Sequence, residues 1–330
     1  MDETSYDLSG ARKVFSRIGW AFCAIFVITA VMQELWFSVS PMIWGEDNWL
    51  SSSSWGMWIG SVGPLYAIAI PTGLLIMKKL PARTPEDNPL GFKNFLIFLL
   101  ICFCLMYSGN IIGTLLSFLL SGGTAQNGVL DYIMDDNPLK VLIVVILAPL
   151  FEEFICRKQI IDRTRQHGEK LAVFLSALVF GLLHKNLFQF FYAFALGLVF
   201  AYIYIRTGRL RYSVCLHCII NFMGSVIAPW ILSLMDPETL NNLDPAASVG
   251  ELAQILPGLA VAVGYILLLI GLSITGLVLL IVKSRQLVWK EADAQLPGKR
   301  GVKTVYWNAG MALYILLCLG AIVKSLFGGA

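Results

Sequence analysis

The sequence predicts an all-α membrane protein: a polytopic helical bundle of about eight or nine transmembrane segments, with its N-terminus in the cytoplasm. Of the 330 residues, 57% are hydrophobic and 14% are charged, whereas a soluble domain carries about 25% charged residues. The apolar residues fall into runs of roughly 20, the length that crosses about 30 Å of hydrocarbon. The hydrophobic content therefore indicates lipid-facing surface together with an interior packed between helices.

Nine apolar segments follow one another along the chain, and polar loops separate most of them. They cover residues 16–40, 54–77, 94–120, 141–162, 171–186, 187–205, 212–235, 257–282 and 305–327. The fifth and sixth are short and closely joined, which is typical either of two spans or of a shallower re-entrant pair. We divide the chain into residues 1–135 with three segments, 136–235 with four, and 236–330 with the last two.

The distribution of basic residues predicts the orientation, because cytoplasmic loops of membrane proteins are enriched in Lys and Arg. With the N-terminus inside, 21 of the 24 Lys and Arg residues fall in inner segments or loops. The exceptions are Lys140, Lys185 and Lys324. Acidic loops around 46–47, 131–136 and 236–251 all fall outside. The basic loop 284–303 is expected to lie at the inner membrane surface as an orientation signal.

Neither a cleaved leader nor a disulfide framework is expected. The first ten residues, MDETSYDLSG, lack the basic start of a secretory signal, so we expect the first span to be retained. The seven cysteines lie in apolar runs and their number is odd, which favours small apolar side chains over paired ones.

The fourth segment contains adjacent carboxylates in the middle of an apolar run. Glu152 and Glu153 follow Lys140 by about twelve residues, or roughly 18 Å along a helix, and each ionisable group inside a span costs at least about 2.5 kcal/mol. Arg157 lies four residues after Glu153 and can pair with it on one helical face. Glu152 points about 100° away and has no partner in its own segment, which suits a general base. Pro149 removes a backbone hydrogen bond and can open the helix.

Two of the three histidines also lie in apolar segments, each with a neighbour at helical spacing. His184 follows Phe180 by four residues, and His217 precedes Asn221 by four, so each pair shares a helical face. The third, His167, lies in the polar stretch RTRQHGEK and is expected to be solvated.

Each of these features alone has a structural explanation. A single histidine or asparagine in a span often forms an interhelical hydrogen bond, and Glu153 with Arg157 could be a structural ion pair. A free glutamate, two histidines and an asparagine on three neighbouring spans favour a site that activates water and holds an oxyanion.

The segments EEFICR, FGLLH and HCIIN resemble the EExxxR, FxxxH and HxxxN motifs of the type II CAAX prenyl endopeptidase family, also called CAAX proteases and bacteriocin-processing enzymes. The similarity covers about residues 140–225, with the three motifs in the family's order on successive spans. It identifies 136–235 as the expected catalytic core, and leaves the first three and last two segments outside.

The resemblance implies an intramembrane glutamic endopeptidase that hydrolyses a peptide bond. Glu152, together with His184, would hold and deprotonate the attacking water. His217 and Asn221 would stabilise the oxyanion that forms at the scissile carbonyl.

The resemblance also implies supporting residues and partners. Glu153 and Arg157 would support the catalytic glutamate, and Phe180 would pack the pocket. No metal or other cofactor is expected. The expected partners are a membrane-associated peptide or protein substrate and the lipid bilayer, not nucleic acid; the oligomeric state stays open. We expect a multi-pass protein of a bacterial plasma membrane, whose substrate is a membrane-anchored peptide or a bacteriocin precursor.

The depth of His184 is the one conflict in this interpretation. Counted from the loops, Glu152 and His217 lie in the inner half of the membrane. His184 lies fourteen residues after Lys170, roughly 21 Å along a helix, which places it nearer the outer face. The fifth segment is therefore expected to begin with a surface turn, to tilt or to be re-entrant.

Four alternatives stay open. Two histidines and a glutamate can bind zinc, although no HExxH pair is present and the residues lie on separate segments. A thiol mechanism could use Cys156 or Cys218. A non-catalytic bacteriocin-immunity or scaffold protein of the same fold is the main alternative. A proton-coupled transporter is disfavoured because the sequence has no paired half-repeats.

Overall fold

The computed structural model describes residues 7–234 and 249–328, and within these ranges it is helical without β-strands. The helices are α1 (Leu8–Trp44), α2 (Trp49–Ser52), α3 (Ser54–Met77), α4 (Phe92–Ser121), α5 (Val129–Met134), α6 (141–164), α7 (Glu169–Leu183), α8 (Leu187–Thr207), α9 (Leu210–Ser233), α10 (Val249–Ser284), α11 (Gly298–Tyr306) and α12 (Ala309–Phe327). The acidic loop 236–251 lies largely outside the described residues. The prediction of an all-α polytopic membrane bundle is confirmed.

Within the described part of the chain, seven helices are long and apolar enough to cross a membrane: α1, α3, α4, α8, α9, the Leu256–Ser284 part of α10, and α12. The fourth and fifth predicted segments, α6 and α7, are not among them. Four charged residues lie in the first 18 residues of α6, and α7 has only 15 residues. These two helices are tolerated in the bundle because their polar side chains face other helices instead of lipid.

Helix α8 lies at the centre of the bundle, between α4 and α7. Its residues Phe200, Ala201 and Tyr204 are almost fully buried. Helix α10 packs on the outside of α4, and its apolar stretch is almost entirely exposed to lipid. On the other side of the bundle, α1 packs against α3 and α12. Of the seven long apolar helices, α8 is thus the most completely enclosed.

Two glycines on α4 allow α8 to approach closely. Gly109 and Gly113 are four residues apart and face the start of α8, the small-residue pattern that brings membrane helices into backbone contact. A Cβ atom at position 109 would lie 2.5 Å from the Cα of Tyr192. The position of the first turns of α8 therefore depends on α4.

Helix α6 departs from regular α-geometry on both sides of the paired glutamates. Its residues 141–147 and 154–159 form π-turns, with i→i+5 hydrogen bonds, and such turns are frequent at functional sites. The hydroxyl of Ser176 on α7 donates to the carbonyl of Cys156 over 2.8 Å. This bond links α7 to the second π-turn.

The conflict over the depth of His184 disappears because Arg157 is not at the membrane surface. The charge count placed Arg157 among the inner-loop residues, but its side chain is fully buried and α6 continues to Thr164. The number of residues between Glu152 and the turn at 165–168 is therefore close to the number between this turn and His184. Since α6 and α7 run antiparallel from this turn, the two residues lie at similar distances from it.

The expectation that His167 is solvated is wrong. It is 8% exposed and packs on Phe15 of α1, with ring centroids 5.6 Å apart. The following residues of the polar loop are covered by the segment 285–297, whose Leu296 N–H donates to the His167 carbonyl over 3.0 Å. Beyond this segment, α11 buries Gly301, Thr304 and Val305, while its lysines and arginine stay on the other side.

The orientation of the bundle stays a prediction that reporter fusions can test. We expect green fluorescent protein to fluoresce when fused after Gly208, which lies in a predicted inner loop. We expect alkaline phosphatase to be active when fused after Asn127, in a predicted outer loop. The reverse pattern at both sites would show that the N-terminus is outside.

Burial of His167 predicts a pH-dependent contact between the segment 285–297 and the turn before α7. Burial lowers the pKa of His167 below its usual value of about 6.5. The state in which His167 is released from this packing therefore binds a proton more readily than the packed state. The packed state is consequently most stable above about pH 6.5, and its stability decreases as the pH falls further. Hydrogen exchange of residues 285–297 should accelerate below that pH.

The control for this effect is His167→Phe, which keeps an aromatic ring but cannot titrate. Its exchange in residues 285–297 should be independent of pH after correction for the intrinsic rate. An equal acceleration in this variant would assign the effect to another group.

Candidate active site

The predicted site residues come together where α6, α7 and α9 meet beside α8. Three elements supply them: α6 carries both glutamates and Arg157, the end of α7 carries Phe180 and His184, and α9 carries His217 and Asn221. Polar side chains on separate helices thus converge in the interior of the bundle.

Glu153 and Arg157 form a buried ion pair. An Arg157 Nη2 atom lies 3.0 Å from Glu153 Oε1, and both side chains are fully buried. The guanidinium carbon lies 4.2 Å from the centroid of the Phe180 ring and 5.5 Å from that of Phe200. Taking two charges out of water is costly even when they pair, and aromatic faces contribute cation–π attraction. The helix-face prediction thus agrees with the position of Arg157 beside Glu153.

The same carboxylate orients His217. Glu153 Oε1 lies 3.1 Å from Nδ1 of His217, and because an ionised carboxylate can only accept, Nδ1 is the donor. The opposite nitrogen, Nε2, lies 3.7 Å from Oε2 of Glu152. The imidazole ring stacks on Phe200, with centroids 5.5 Å apart, and meets the edge of Phe180 at the same distance. The hydrogen bond at Nδ1 and the two aromatic contacts fix the orientation of the imidazole ring, so that Nε2 points toward Glu152.

Glu152 is the freer of the two carboxylates. Its side chain is 27% exposed, whereas that of Glu153 is fully buried. No basic residue of the described chain forms an ion pair with it apart from the His217 contact. It lies close enough to Tyr66, Tyr192 and His184 to act on them electrostatically. The adjacent glutamates therefore have different environments: Glu153 is held between Arg157 and His217, and Glu152 faces an accessible space.

His184 is held in one tautomer by the backbone. Its Nδ1 lies 2.9 Å from the carbonyl oxygen of Phe180, and a carbonyl only accepts, so Nδ1 carries the proton. In the neutral ring, Nε2 then has a free lone pair. The ring meets the edge of Phe180 at 5.2 Å. Since Phe180 also contacts His217, one phenyl ring lies between the two histidines.

A strained turn follows His184 immediately. Lys185 has a φ of 58°, the left-handed region that non-glycine residues rarely occupy. Asn186 caps α8 through its side-chain oxygen, and its amide donates to the carbonyl of His184 over 2.7 Å. Backbone strain of this kind costs about 1–3 kcal/mol and persists where the surroundings impose it. The turn fixes the direction of the histidine at the end of α7.

Asn221 has a structural contact that the sequence did not predict. Its side-chain amide donates to the carbonyl of Val144 over 2.8 Å. In the first π-turn of α6, the N–H of Ala148 donates to the carbonyl oxygen of Ile143, five residues earlier. By the same spacing, the carbonyl of Val144 would accept from the N–H of residue 149, but that residue is proline and has no N–H. Asn221 supplies the missing donor and ties α9 to α6. Its second amide N–H is left for another acceptor.

Sequence reasoning missed two groups beside the site. Phe200 stacks on His217, but an aromatic residue in an apolar helix cannot be distinguished by sequence from ordinary packing. Gln189 donates to the hydroxyl of Tyr192 over 2.8 Å, and the Tyr192 ring lies 6.4 Å from that of His184. A glutamine three residues before a tyrosine inside a span is a signal that could have identified this pair.

The site does not have the form of a metal centre. Within residues 7–234 and 249–328, no three His, Cys, Asp or Glu side chains are arranged to hold a metal ion.

Removal of Arg157 should destabilise the protein strongly, because it leaves the Glu153 charge buried and unpaired. We expect Arg157→Ala to lower the free energy of unfolding by about 3–5 kcal/mol, measured by thermal or denaturant unfolding in detergent micelles. The double variant Glu153→Gln/Arg157→Met, which removes both charges, should be more stable than Arg157→Ala.

Lys158→Ala is the matched control, since its partner Asp162 is also four residues away but the lysine side chain is 38% exposed. Such a partly exposed pair is worth about 0–1 kcal/mol. Equal losses for Arg157→Ala and Lys158→Ala would contradict the importance of the buried pair.

The chain is similar to bacterial membrane proteins. It is 27% identical over 154 residues to the putative membrane peptidase YdiL of Bacillus subtilis (strain 168), a match that covers 45% of this chain and 63% of the relative. It is 27% identical over 197 residues to the membrane-embedded CAAX protease MroQ of Staphylococcus aureus (strain USA300), covering 56% of this chain and 77% of the relative. The chain thus spans less than two thirds of the length of YdiL.

No solved structure matches the chain. Residues 135–223 match the family described as type II CAAX prenyl endopeptidase Rce1-like, and this range contains all the residues of the site described above. This segment of the chain is therefore similar to the type II CAAX prenyl endopeptidase Rce1-like family.

Proposed function

We propose that the chain is an intramembrane endopeptidase that hydrolyses a peptide bond with a water molecule activated by Glu152. The observation that carries this proposal is the difference between the two adjacent glutamates. Glu153 pairs with Arg157 and bonds to His217, whereas Glu152 is partly exposed and lies 3.7 Å from His217 Nε2. A free carboxylate in this position is what a general base requires.

In the first step, water bound between Glu152 and His184 Nε2 gives a proton to the Glu152 carboxylate. The lone pair on His184 Nε2 accepts a hydrogen bond from the water and orients it. The water oxygen then bonds to the carbonyl carbon of the scissile peptide, and the carbonyl oxygen becomes negative. The protein contributes orientation and a proton acceptor at the same point.

The negative oxygen needs hydrogen-bond donors that are already in place. Asn221 offers the amide N–H that does not bond to Val144. His217 offers Nε2–H, and because its Nδ1–H is bonded to Glu153, it must carry protons on both nitrogens to do so. The carboxylate of Glu153 stabilises this imidazolium, which gives the supporting glutamate a direct electrostatic role.

Collapse of the tetrahedral intermediate completes the reaction. The carbon–nitrogen bond breaks, and the proton held by Glu152 passes to the departing amine. The carboxylate is thereby regenerated, and the products are a free carboxylate and a free amine.

The proposed substrate is a membrane-associated peptide or protein that reaches the site from the cytoplasmic side of a bacterial plasma membrane. The bacterial relatives named as a membrane peptidase and a CAAX protease support this class.

The decisive variant is Glu152→Gln, which keeps the shape of the side chain and removes the base. We expect it to slow cleavage by about 10²–10⁴-fold while the protein level and unfolding temperature stay normal. The measurement is the set of new peptide N-termini in membranes from cells that express the wild type or the variant. Glu34→Gln is the matched control, because among the described residues Glu34 on α1 accepts a bond only from a nearby serine hydroxyl.

Two treatments separate this mechanism from the alternatives. Cleavage should survive thorough chelation, and it should survive replacement of all seven cysteines, since Cys156 is fully buried in the core. Loss of activity that only zinc restores would indicate a metallopeptidase. If Glu152→Gln yields the same N-termini as the wild type and retains biological function, a non-catalytic immunity or scaffold role replaces the proposal.

A further inference from the structure

An apolar cavity of about 380 Å³ lies between α4, α7, α8 and the inner end of α10. Its wall is almost free of polar atoms, so it would not retain ordered water, which needs polar partners. The residues that define its wall include Phe98, Ile101, Ala195, Val199 and Leu280. A cavity of this character binds an apolar chain.

The cavity is separated from the candidate active site by α8. Ala195, Leu198, Val199 and Tyr202 line it, and their spacing places them on one face of the helix. Phe200, on another face, stacks on His217. None of the seven predicted site residues lines the cavity, so its occupant is not the segment of substrate that is cleaved.

The mouth of the cavity carries aromatic and cationic side chains. Trp289 and Tyr202 lie there with ring centroids 5.4 Å apart, and the ammonium group of Lys170 lies 5.9 Å from the Trp289 ring. Lys283 and Ser284 also line the cavity, and the Lys283 ammonium group donates a hydrogen bond to the uncharged side-chain carbonyl of Gln286 over 3.0 Å. Aromatic rings at this level are typical of the membrane–water interface.

The two lysines at the mouth have no carboxylate partner among the described residues. Nearby cations are neutralised, since Arg206 pairs with Glu169 and Lys290 with Glu86. An apolar cavity with an uncompensated cationic rim matches the two parts of an anionic phospholipid. Basic pockets between membrane helices bind such headgroups.

We propose that this cavity binds one acyl chain of an anionic glycerophospholipid, with its headgroup phosphate at Lys170 and Lys283. The lipid fills the space between α8 and α10 and supports the face of α8 opposite the site. The phosphate replaces the missing carboxylate partner of the lysines. A lipid tail on a substrate would use only the apolar part of this cavity and would gain nothing from the lysines.

The test is native mass spectrometry of the purified full chain after mixing with equal amounts of phosphatidylglycerol and phosphatidylcholine that have the same acyl chains. The wild type should retain phosphatidylglycerol preferentially. Lys170→Gln/Lys283→Gln should reduce this preference by about fivefold for each lysine, since each is worth about 1 kcal/mol near a phosphate. Ala195→Trp, which fills the cavity, should reduce retention of both lipids.

Matched controls show whether the effect is local. Lys78→Gln/Lys79→Gln removes two basic residues in the loop after α3, and Leu277→Trp adds bulk on the exposed side of α10. Both should behave as the wild type. The proposal is overturned if Ala195→Trp retains as much lipid as Leu277→Trp, or if the two double-lysine variants lose the same preference. It is also overturned if a prenylated peptide displaces phosphatidylglycerol from the wild type but not from Ala195→Trp. Because lipid retention is measured without cleavage, its outcome is independent of the proposed peptidase activity.

Discussion

The buried ion pair between Glu153 and Arg157 is the interaction on which the rest of the site depends. Two charges inside a membrane bundle are stable only with close partners, and here the partners come from every helix of the site. Phe180 of α7 and Phe200 of α8 cover the guanidinium, while His217 of α9 bonds to the carboxylate. Satisfying one charged pair therefore assembles α6, α7, α8 and α9, and it fixes the imidazole that faces Glu152.

Neighbouring glutamates acquire opposite properties because a helix turns about 100° between them. Position 153 faces the interior and is neutralised, whereas position 152 faces an accessible space. The irregular geometry of α6 reinforces this separation. The π-turn before Pro149 leaves the Val144 carbonyl for Asn221, and the second π-turn begins directly after Glu153. Irregular turns and a proline would weaken an ordinary membrane-spanning helix. In α6 they free a backbone carbonyl that bonds to a side chain of α9.

Much of this arrangement follows from sequence spacing. The four-residue intervals predicted that Arg157 lies beside Glu153 and that His217 shares a face with Asn221, because helical geometry alone decides them. The count of loop charges failed for Arg157, since an arginine with a buried partner looks the same in sequence as one in a loop. His167 was misjudged for a related reason: the segment that covers it lies more than a hundred residues away. The Asn221 contact depends on a π-turn, which has no reliable sequence signature.

The close approach of α4 to α8 means that the segment carrying the three motifs cannot be positioned by its own residues alone. Gly109 and Gly113 lie outside residues 135–223, yet they set the position of the turn from His184 to Asn186 by admitting the start of α8. The matched segment consequently depends on a helix that lies outside it. Transplanting residues 135–223 without α4 would remove the two glycines that admit the start of α8.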